Sequence, residues 1–168
     1  VVRAARRTGA VVASDECYAL LPWAEPWVTG GVPSLLDPRV TDGDTRGLLA
    51  VHSLSKQSNL AGYRAAFVAG DGALVRRLLE LRKHAGMIVP GPVQAAMTAA
   101  LADDAHVDAQ RERYRRRRSV LLGGLEAAGL EVDGSPAGLY PAAARHVRVA
   151  LTASDDDVAR AASRLTGA

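Results

Sequence analysis

Three short apolar runs limit this chain more than any other feature: AVVAS (Ala10–Ser14), GLLAVHS (Gly47–Ser53) and RAAFVAG (Arg64–Gly70). Each is too short for an ordinary helix and nearly continuous in apolar residues, the pattern of strands buried on both faces. Stretches of helical period surround them. Val1–Thr8 reads as the end of a helix stopped by Gly9. DGALVRRLLELRKHAG opens on Asp71 as an N-cap and carries Leu74, Leu78 and Leu81 at helical spacing. After Pro90 and Pro92, VQAAMTAALADD predicts another helix, and Ala105–Ala128 a longer one with Val107, Tyr114, Leu121, Leu125 and Ala128 near a helical period. LEVDG and HVRVAL read as further strands, and Asp155–Leu165 as a last helix capped by Ser154. Strands alternating with helices predict an α/β architecture with a mostly parallel sheet. In such sheets, ligand-bearing residues gather at the carboxyl ends of strands.

The chain's 168 residues suffice for one domain with a sizeable core. The net charge of +3 is mild and does not by itself call for nucleic acid or a membrane surface. No apolar run approaches the ~18–20 residues of a membrane span. A lone cysteine, Cys17, rules out a disulfide within the chain and leads us to expect a reducing, cytoplasmic setting. Beginning at Val1, midway through a helical pattern, the sequence is expected to be a piece of a longer protein. The Pro-, Gly- and Asp-rich stretch from Leu20 to Arg46 holds both tryptophans, Trp23 and Trp27, and is long enough to suggest a functional loop.

Chemistry concentrates in SLSKQSNLAGYR, residues 53–64. Of the 21 basic residues only Lys56 and Lys83 are lysines. A guanidinium stays protonated, whereas an amine can lose its proton and attack a carbonyl, so a lysine kept here among small and hydroxyl residues is a candidate nucleophile. A surface lysine is the competing explanation, weakened because surface cations in this chain are nearly all arginine. Ser53 and Ser55 offer hydroxyls and Arg64 a bidentate fork for a phosphate; taken singly, turn chemistry and a surface salt bridge would explain them. Gly62 permits a tight turn. Asp15, ending the first strand, can pair with a protonated ring nitrogen, and Tyr18 supplies a phenol three residues on. Together these are the groups a protein supplies to pyridoxal phosphate.

SDECY followed by SLSKQSNLAGYR resembles the core of the class I/II, fold-type-I pyridoxal-phosphate aminotransferases. Asp15-x-x-Tyr18 and Ser53-x-Ser55-Lys56, with Arg64 eight residues beyond the lysine, both match that family's spacing. The resemblance implies the C-terminal part of the cofactor-binding large domain in residues 1–104. A long interdomain helix over 105–129 and a truncated C-terminal small domain over 130–168 would follow. It gives Lys56 the roles of cofactor-capturing amine and proton shuttle, Asp15 the ring nitrogen, Tyr18 the ring's phenolic oxygen, and Ser53, Ser55 and Arg64 the phosphate. HVRVALT is similar to the family strand whose arginine grips the substrate α-carboxylate, which implies that role for Arg148. The implied function is amino-group transfer between an amino acid and a 2-oxo acid in a cytoplasmic homodimer. The wording of LLAVHSLSKQSNLAGYRAAFVAGD and LRKHAGMIVPGPVQAAM is most similar to the actinobacterial succinyldiaminopimelate aminotransferases of lysine biosynthesis.

The match is partial. A family member is about twice this long, and the absent half supplies the backbone phosphate loop and the aromatic that stacks on the cofactor ring. Arg148 follows Tyr140 by only eight positions where the family has several dozen, and Ala66 replaces a usual Gly. Exposed core faces, unpaired sheet edges, weak cofactor binding and little turnover are therefore expected of the isolated chain. The alternatives are an inactive or split-gene fragment, or a fold-type-I β-lyase or acyltransferase. The run Arg115–Arg118 invites a nucleic-acid reading, but four consecutive helical positions point around most of the circumference. A solvated or subunit-contact face explains them better. His52, His84, His106 and His146 show no metal-ligand spacing around Cys17.

Overall fold

A computed structural model of the chain describes residues 1–132 and 151–167. Helix α1 (Val2–Thr8) leads into strand β1 (Val12–Asp15), and Gly9, in the left-handed conformation, closes the helix as its sequence requires. The loop after β1 holds two single helical turns, α2 (Trp27–Gly30) and α3 (Pro38–Thr41). Strand β2 (Leu48–Ser53) passes directly into the single-turn helix α4 (Leu54–Gln57), then a 3-10 turn at Ala61–Tyr63 and strand β3 (Ala66–Gly70). Four helices follow: α5 (Gly72–His84), α6 (Gly91–Leu101), α7 (Ala105–Ala127) and α8 (Asp155–Leu165).

The described strands form one sheet in the order β1-β2-β3. β1 and β2 are parallel, with Val12 opposite Leu48 and Asp15 opposite Val51. β2 and β3 are antiparallel, with Leu49 opposite Gly70 and Ser53 opposite Ala66. The connection explains that reversal. Residues 54–65 fold back on themselves, so that Leu54 N–H donates to Ala65 C=O at 3.1 Å and the chain re-enters the sheet at the end it left. A parallel return would need a crossover spanning the sheet. At the far end of the pair, Gly70 sits at φ 134°, and a Cβ there would lie 2.1 Å from Leu48 O, so only glycine allows this approach.

Burial follows sheet position. Central β2 is buried at Leu48, Leu49 and Ala50, and Leu54 and Ala65 extend that core beyond the strand end. The outer strands are partly open, with Ala13 and Val68 exposed. Helix α5 begins where Asp71 was expected to cap it: Oδ1 accepts from Ala73 and Leu74 N–H, and Oδ2 from Gly47 N–H at 2.8 Å. Its apolar stripe does not pack as the period implies, for Leu78 and Leu81 are exposed and no residue of α5 or α6 is buried. Coverage is partial: Leu74 and Val75 of α5 and Val93 and Met97 of α6 are half-buried.

A second core joins α7 to α8. Val107, Tyr114 and Leu121 of α7 are buried, as are Val158 and Ala162 of α8, and Gly124 admits Ala162 so closely that a Cβ would meet it at 2.9 Å. Arg117 fastens the pair, donating to Asp155 Oδ1 at 2.5 Å and Leu151 O at 3.0 Å. Arg115 and Arg116 both face Glu112, so the arginine run is engaged within the helical pair rather than laid out as one basic stripe. Ser154 caps α8 by accepting from Asp157 N–H. Leu130–Val132, expected as a strand, has no regular structure; the remainder of LEVDG, the residues of HVRVAL before Leu151, and Gly138–Tyr140 lie outside the described residues.

Candidate active site

The parallel register of β1 and β2 brings Asp15 and the Ser53–Lys56 turn to one end of the sheet. Asp15 Oδ1 accepts from Cys17 N–H at 3.1 Å. Hydrogen bonding from the Cys17 thiol, and then from its backbone N–H, holds the Asp15 carboxyl below its ordinary value. The same proximity acts in reverse on Cys17, whose thiol is pushed up to about 11 by burial first and by Asp15 second. Among the described residues, therefore, Asp15 is a carboxylate at neutral pH and Cys17 a protonated thiol.

Lys56 lies on α4, the single turn that continues β2. Ser53 caps that turn: its Oγ accepts from Ser55 N–H at 3.1 Å and lies 2.9 Å from Ser55 Oγ. The two hydroxyls are thus already paired at the mouth of the turn. Lys56 Nζ stands over the Tyr18 ring, 5.8 Å from its centroid, and has no carboxylate partner among the described residues. Arg64 takes a left-handed backbone (φ 52°), which is uncommon for a residue with a Cβ. Its exposed guanidinium donates to Ala61 O at 3.2 Å. Ala65, the next residue, lies against Ser53, with Ser53 Oγ 3.4 Å from Ala65 O. The backbone therefore carries Arg64 to within one residue of the serines, while its side chain is turned onto its own loop. Arg148 lies outside the described residues.

Two contacts add residues that sequence reasoning did not single out. Glu16 is buried beside the site: Oε1 accepts from Leu35 N–H at 2.7 Å, and Oε2 lies 3.0 Å from His52 Nε2, within ion-pair range but without hydrogen-bond alignment. His52 in turn stacks on Phe67 of β3 at 5.2 Å between ring centroids. Glu16 so anchors the 20–46 loop to the sheet end, and Arg6 ties the same loop to α1 through Thr41 O and Asp44 O. The acidic pair Asp15-Glu16 was visible in the sequence, but the partner of Glu16 is 19 residues away and carries no side-chain signal. The second contact joins His106 of α7 to Ser58, Nε2 to Oγ, at 2.9 Å.

Comparison with known proteins gives the family. Residues 1–164 match the family model described as aminotransferase class I and II. A probable aminotransferase of Mycobacterium tuberculosis is 53% identical over 197 aligned residues, covering 99% of this chain and 46% of that protein. A 4-dedimethylamino-4-oxo-anhydrotetracycline transaminase of Streptomyces rimosus is 48% identical, covering 99% of this chain and 53% of that one. Among solved structures, the N-succinyldiaminopimelate aminotransferase of Mycobacterium tuberculosis superposes with a TM-score of 0.70 at 26% identity, over 81% of this chain and 34% of that one. An aspartate aminotransferase of Thermus thermophilus superposes at 0.79 over 98% of this chain and, at 22% identity, speaks to the fold alone. The chain spans about half the length of the curated relatives it matches. The strand-end carboxylate, the capped lysine turn and the match over nearly the whole chain place it in one group: this chain belongs to the class I and II aminotransferase family.

Proposed function

We propose that the chain carries the lysine-bearing part of a pyridoxal-phosphate site and serves amino-group transfer between an amino acid and a 2-oxo acid. One observation carries the proposal: the fold brings Lys56 over Tyr18 from a turn that begins some forty residues later in the chain. The donor set suits the cofactor. A carboxylate kept ionised by Cys17 is matched to a protonated pyridine nitrogen, paired serine hydroxyls at a capped turn to a phosphate, and an amine without a carboxylate partner among the described residues to an aldehyde. When bound, the cofactor supplies an aldehyde for condensation and an electron-withdrawing ring.

The chain's own residues do the rest. Lys56 presents the amine and, once displaced by substrate, is the base within reach of the substrate's α-proton. Asp15 holds a proton on the ring nitrogen, which an isolated pyridine would release near neutral pH. Tyr18 contributes a phenol beside the amine, and Ser53 and Ser55 donate to phosphate oxygens. Arg64 joins them by exchanging Ala61 O for an anion, a charge-assisted bond stronger than the neutral one it gives up. Residues 1–104 form the cofactor-binding part, 105–129 the interdomain helix and 130–168 a shortened small domain, with Arg148 as the substrate-carboxylate arginine and a second copy of the chain as partner. We favour a cytoplasmic setting, in which a free thiol stays reduced. No described helix is long and apolar enough to cross a membrane.

For the substrate we favour an N-succinylated diamino acid, supported by the likeness to the succinyldiaminopimelate enzyme. Titration with pyridoxal phosphate tests the cofactor claim: wild type develops a band near ~400–430 nm and Lys56→Ala does not. N-succinyl-diaminopimelate should then bleach that band faster than aspartate does. Equal spectra for wild type and Lys56→Ala would remove Lys56 from this role.

A further inference from the structure

Helix α4 is a single turn, with Ser58 N–H donating to Leu54 O at 3.2 Å as its closing bond. A turn this short has no stability of its own, so its orientation is imposed from outside. At its start the constraint is local: the Ser53 cap, and the bond from Leu54 N–H to Ala65 O. Its end is held locally by Leu60 N–H, which donates to Leu54 O at 3.2 Å, and by a side chain 48 positions away. His106, in the first turn of α7, places Nε2 2.9 Å from Ser58 Oγ, while its Nδ1 faces Asp103 Oδ2 at 3.3 Å. Nδ1 is within ion-pair range of that carboxylate but without hydrogen-bond alignment, whereas Nε2 and Ser58 Oγ share a hydrogen bond whose donor is set by the imidazole tautomer. The ring thereby fixes the serine, two residues beyond Lys56.

We propose that His106 is a positioning residue for Lys56, clamping the end of the lysine turn to α7 through Ser58. The inference builds on the lysine site proposed above but concerns the chain's own geometry. Coupling through this link makes the position of the amine depend on the seating of α7, the same helix that packs on α8 through Gly124 and Arg117. Without it, the buried side chains of Leu54 and Gln57 still hold the turn near the sheet, while its exit past the left-handed Asn59 (φ 53°) is held by the backbone bond from Leu60 N–H to Leu54 O.

The two lysines make a direct test possible, because Lys83, paired with Glu80 on α5, serves as an internal reference. Reductive methylation of the 168-residue chain with ¹³C-formaldehyde labels both lysine amines and the Val1 amine, and the lysine methyl signals, assigned by lysine-to-arginine variants, are read by NMR without any cofactor. His106→Phe and Ser58→Ala should each move the Lys56 signal and leave that of Lys83 in place. The double variant should match either single one, since both break the same link. His106→Gln, which can still hydrogen-bond to Ser58, should return the signal most of the way. On adding pyridoxal phosphate, loss of the link should slow growth of the ~400–430 nm band several-fold. An unmoved Lys56 signal in both single variants, additive shifts in the double one, or a wild-type Lys56 signal already at the free-lysine position would overturn the proposal. A wild type that shows the predicted signals but never forms the band would instead defeat the cofactor reading and leave the clamp standing.

Discussion

Lys56 Nζ lies 5.8 Å from the centre of the Tyr18 ring, joining the end of β1 to the turn that continues β2. An amine over an aromatic face at a partly open site contributes only ~0.5–1 kcal/mol, too little to hold two loops together. The backbone does that instead: Asp15 is in register with Val51, Glu16 N–H donates to Val51 O at 2.9 Å, and Ser53 caps the lysine turn. Tyr18→Phe should therefore keep Lys56 in place and leave stability within about 0.5 kcal/mol of wild type. Loss of the phenol should still weaken pyridoxal-phosphate binding several-fold by spectral titration. A fall in melting temperature with unchanged binding would contradict this division of labour.

Ser53 serves both fold and site. Replacing it by alanine removes the acceptor for Ser55 N–H, a cap loss worth about 1 kcal/mol. It also removes one of the paired hydroxyls offered to phosphate. Ser53→Ala should lower the urea midpoint and the affinity for inorganic phosphate together, while Ser55→Ala lowers the affinity alone.

Glu16 is buried with Leu35 N–H on one oxygen and His52 beside the other. Glu16→Ala strands that N–H at a cost of about 1–3 kcal/mol and frees the 20–46 loop. Glu16→Gln keeps the acceptor and should cost less. Limited proteolysis ought to cut between residues 20 and 46 faster in Glu16→Ala than in Glu16→Gln.

Adjacent glycines on α7 give opposite expectations. At Gly123 an added Cβ meets nothing, so Gly123→Ala should stabilise by up to ~1 kcal/mol through helix propensity. At Gly124 the Cβ would meet Ala162 Cβ at 2.9 Å and Cα at 3.0 Å. Overpacking of ~1–3 kcal/mol outweighs the same propensity gain, so Gly124→Ala should destabilise the α7–α8 pair in a denaturant titration.

Cys17 supplies a pH dependence. With its thiol pushed up to about 11 from an ordinary 9.0, the thiolate fraction at pH 8 is roughly a hundredfold below that of an unperturbed thiol. Labelling by a disulfide reagent should be correspondingly slow at pH 8 and rise steeply toward pH 11. Since the Asp15 carboxylate is the second cause of the shift, Asp15→Asn should bring the rise to lower pH.

Much of the chain could be read before folding was considered, because its signals are local. The caps at Asp71 and Ser154 and the glycine stop after α1 are written within four residues of where they act. The lysine motif is likewise contiguous. What the sequence hid depends on distance or direction. The antiparallel course of β3 is decided by the fold-back of residues 54–65, which no periodicity reports. Leu78 and Leu81 have helical spacing, but spacing cannot say whether a neighbour covers them. Arg64 stands at the right interval from Lys56, yet its guanidinium is bonded to Ala61 O, an orientation set by its left-handed backbone. The links from Glu16 to Leu35 and from His106 to Ser58 join residues 19 and 48 positions apart, and each needs the folded chain to exist.

The central claim is that Lys56 is the amine that captures pyridoxal phosphate. Borohydride reduction of the chain after incubation with the cofactor, followed by peptide mass mapping, tests it most directly. With only two lysines to compare, the expected result is a reduced cofactor adduct on the peptide containing Lys56 and none on Lys83. Equal labelling of both lysines, or an adduct confined to Lys83 or the Val1 amine, would contradict it.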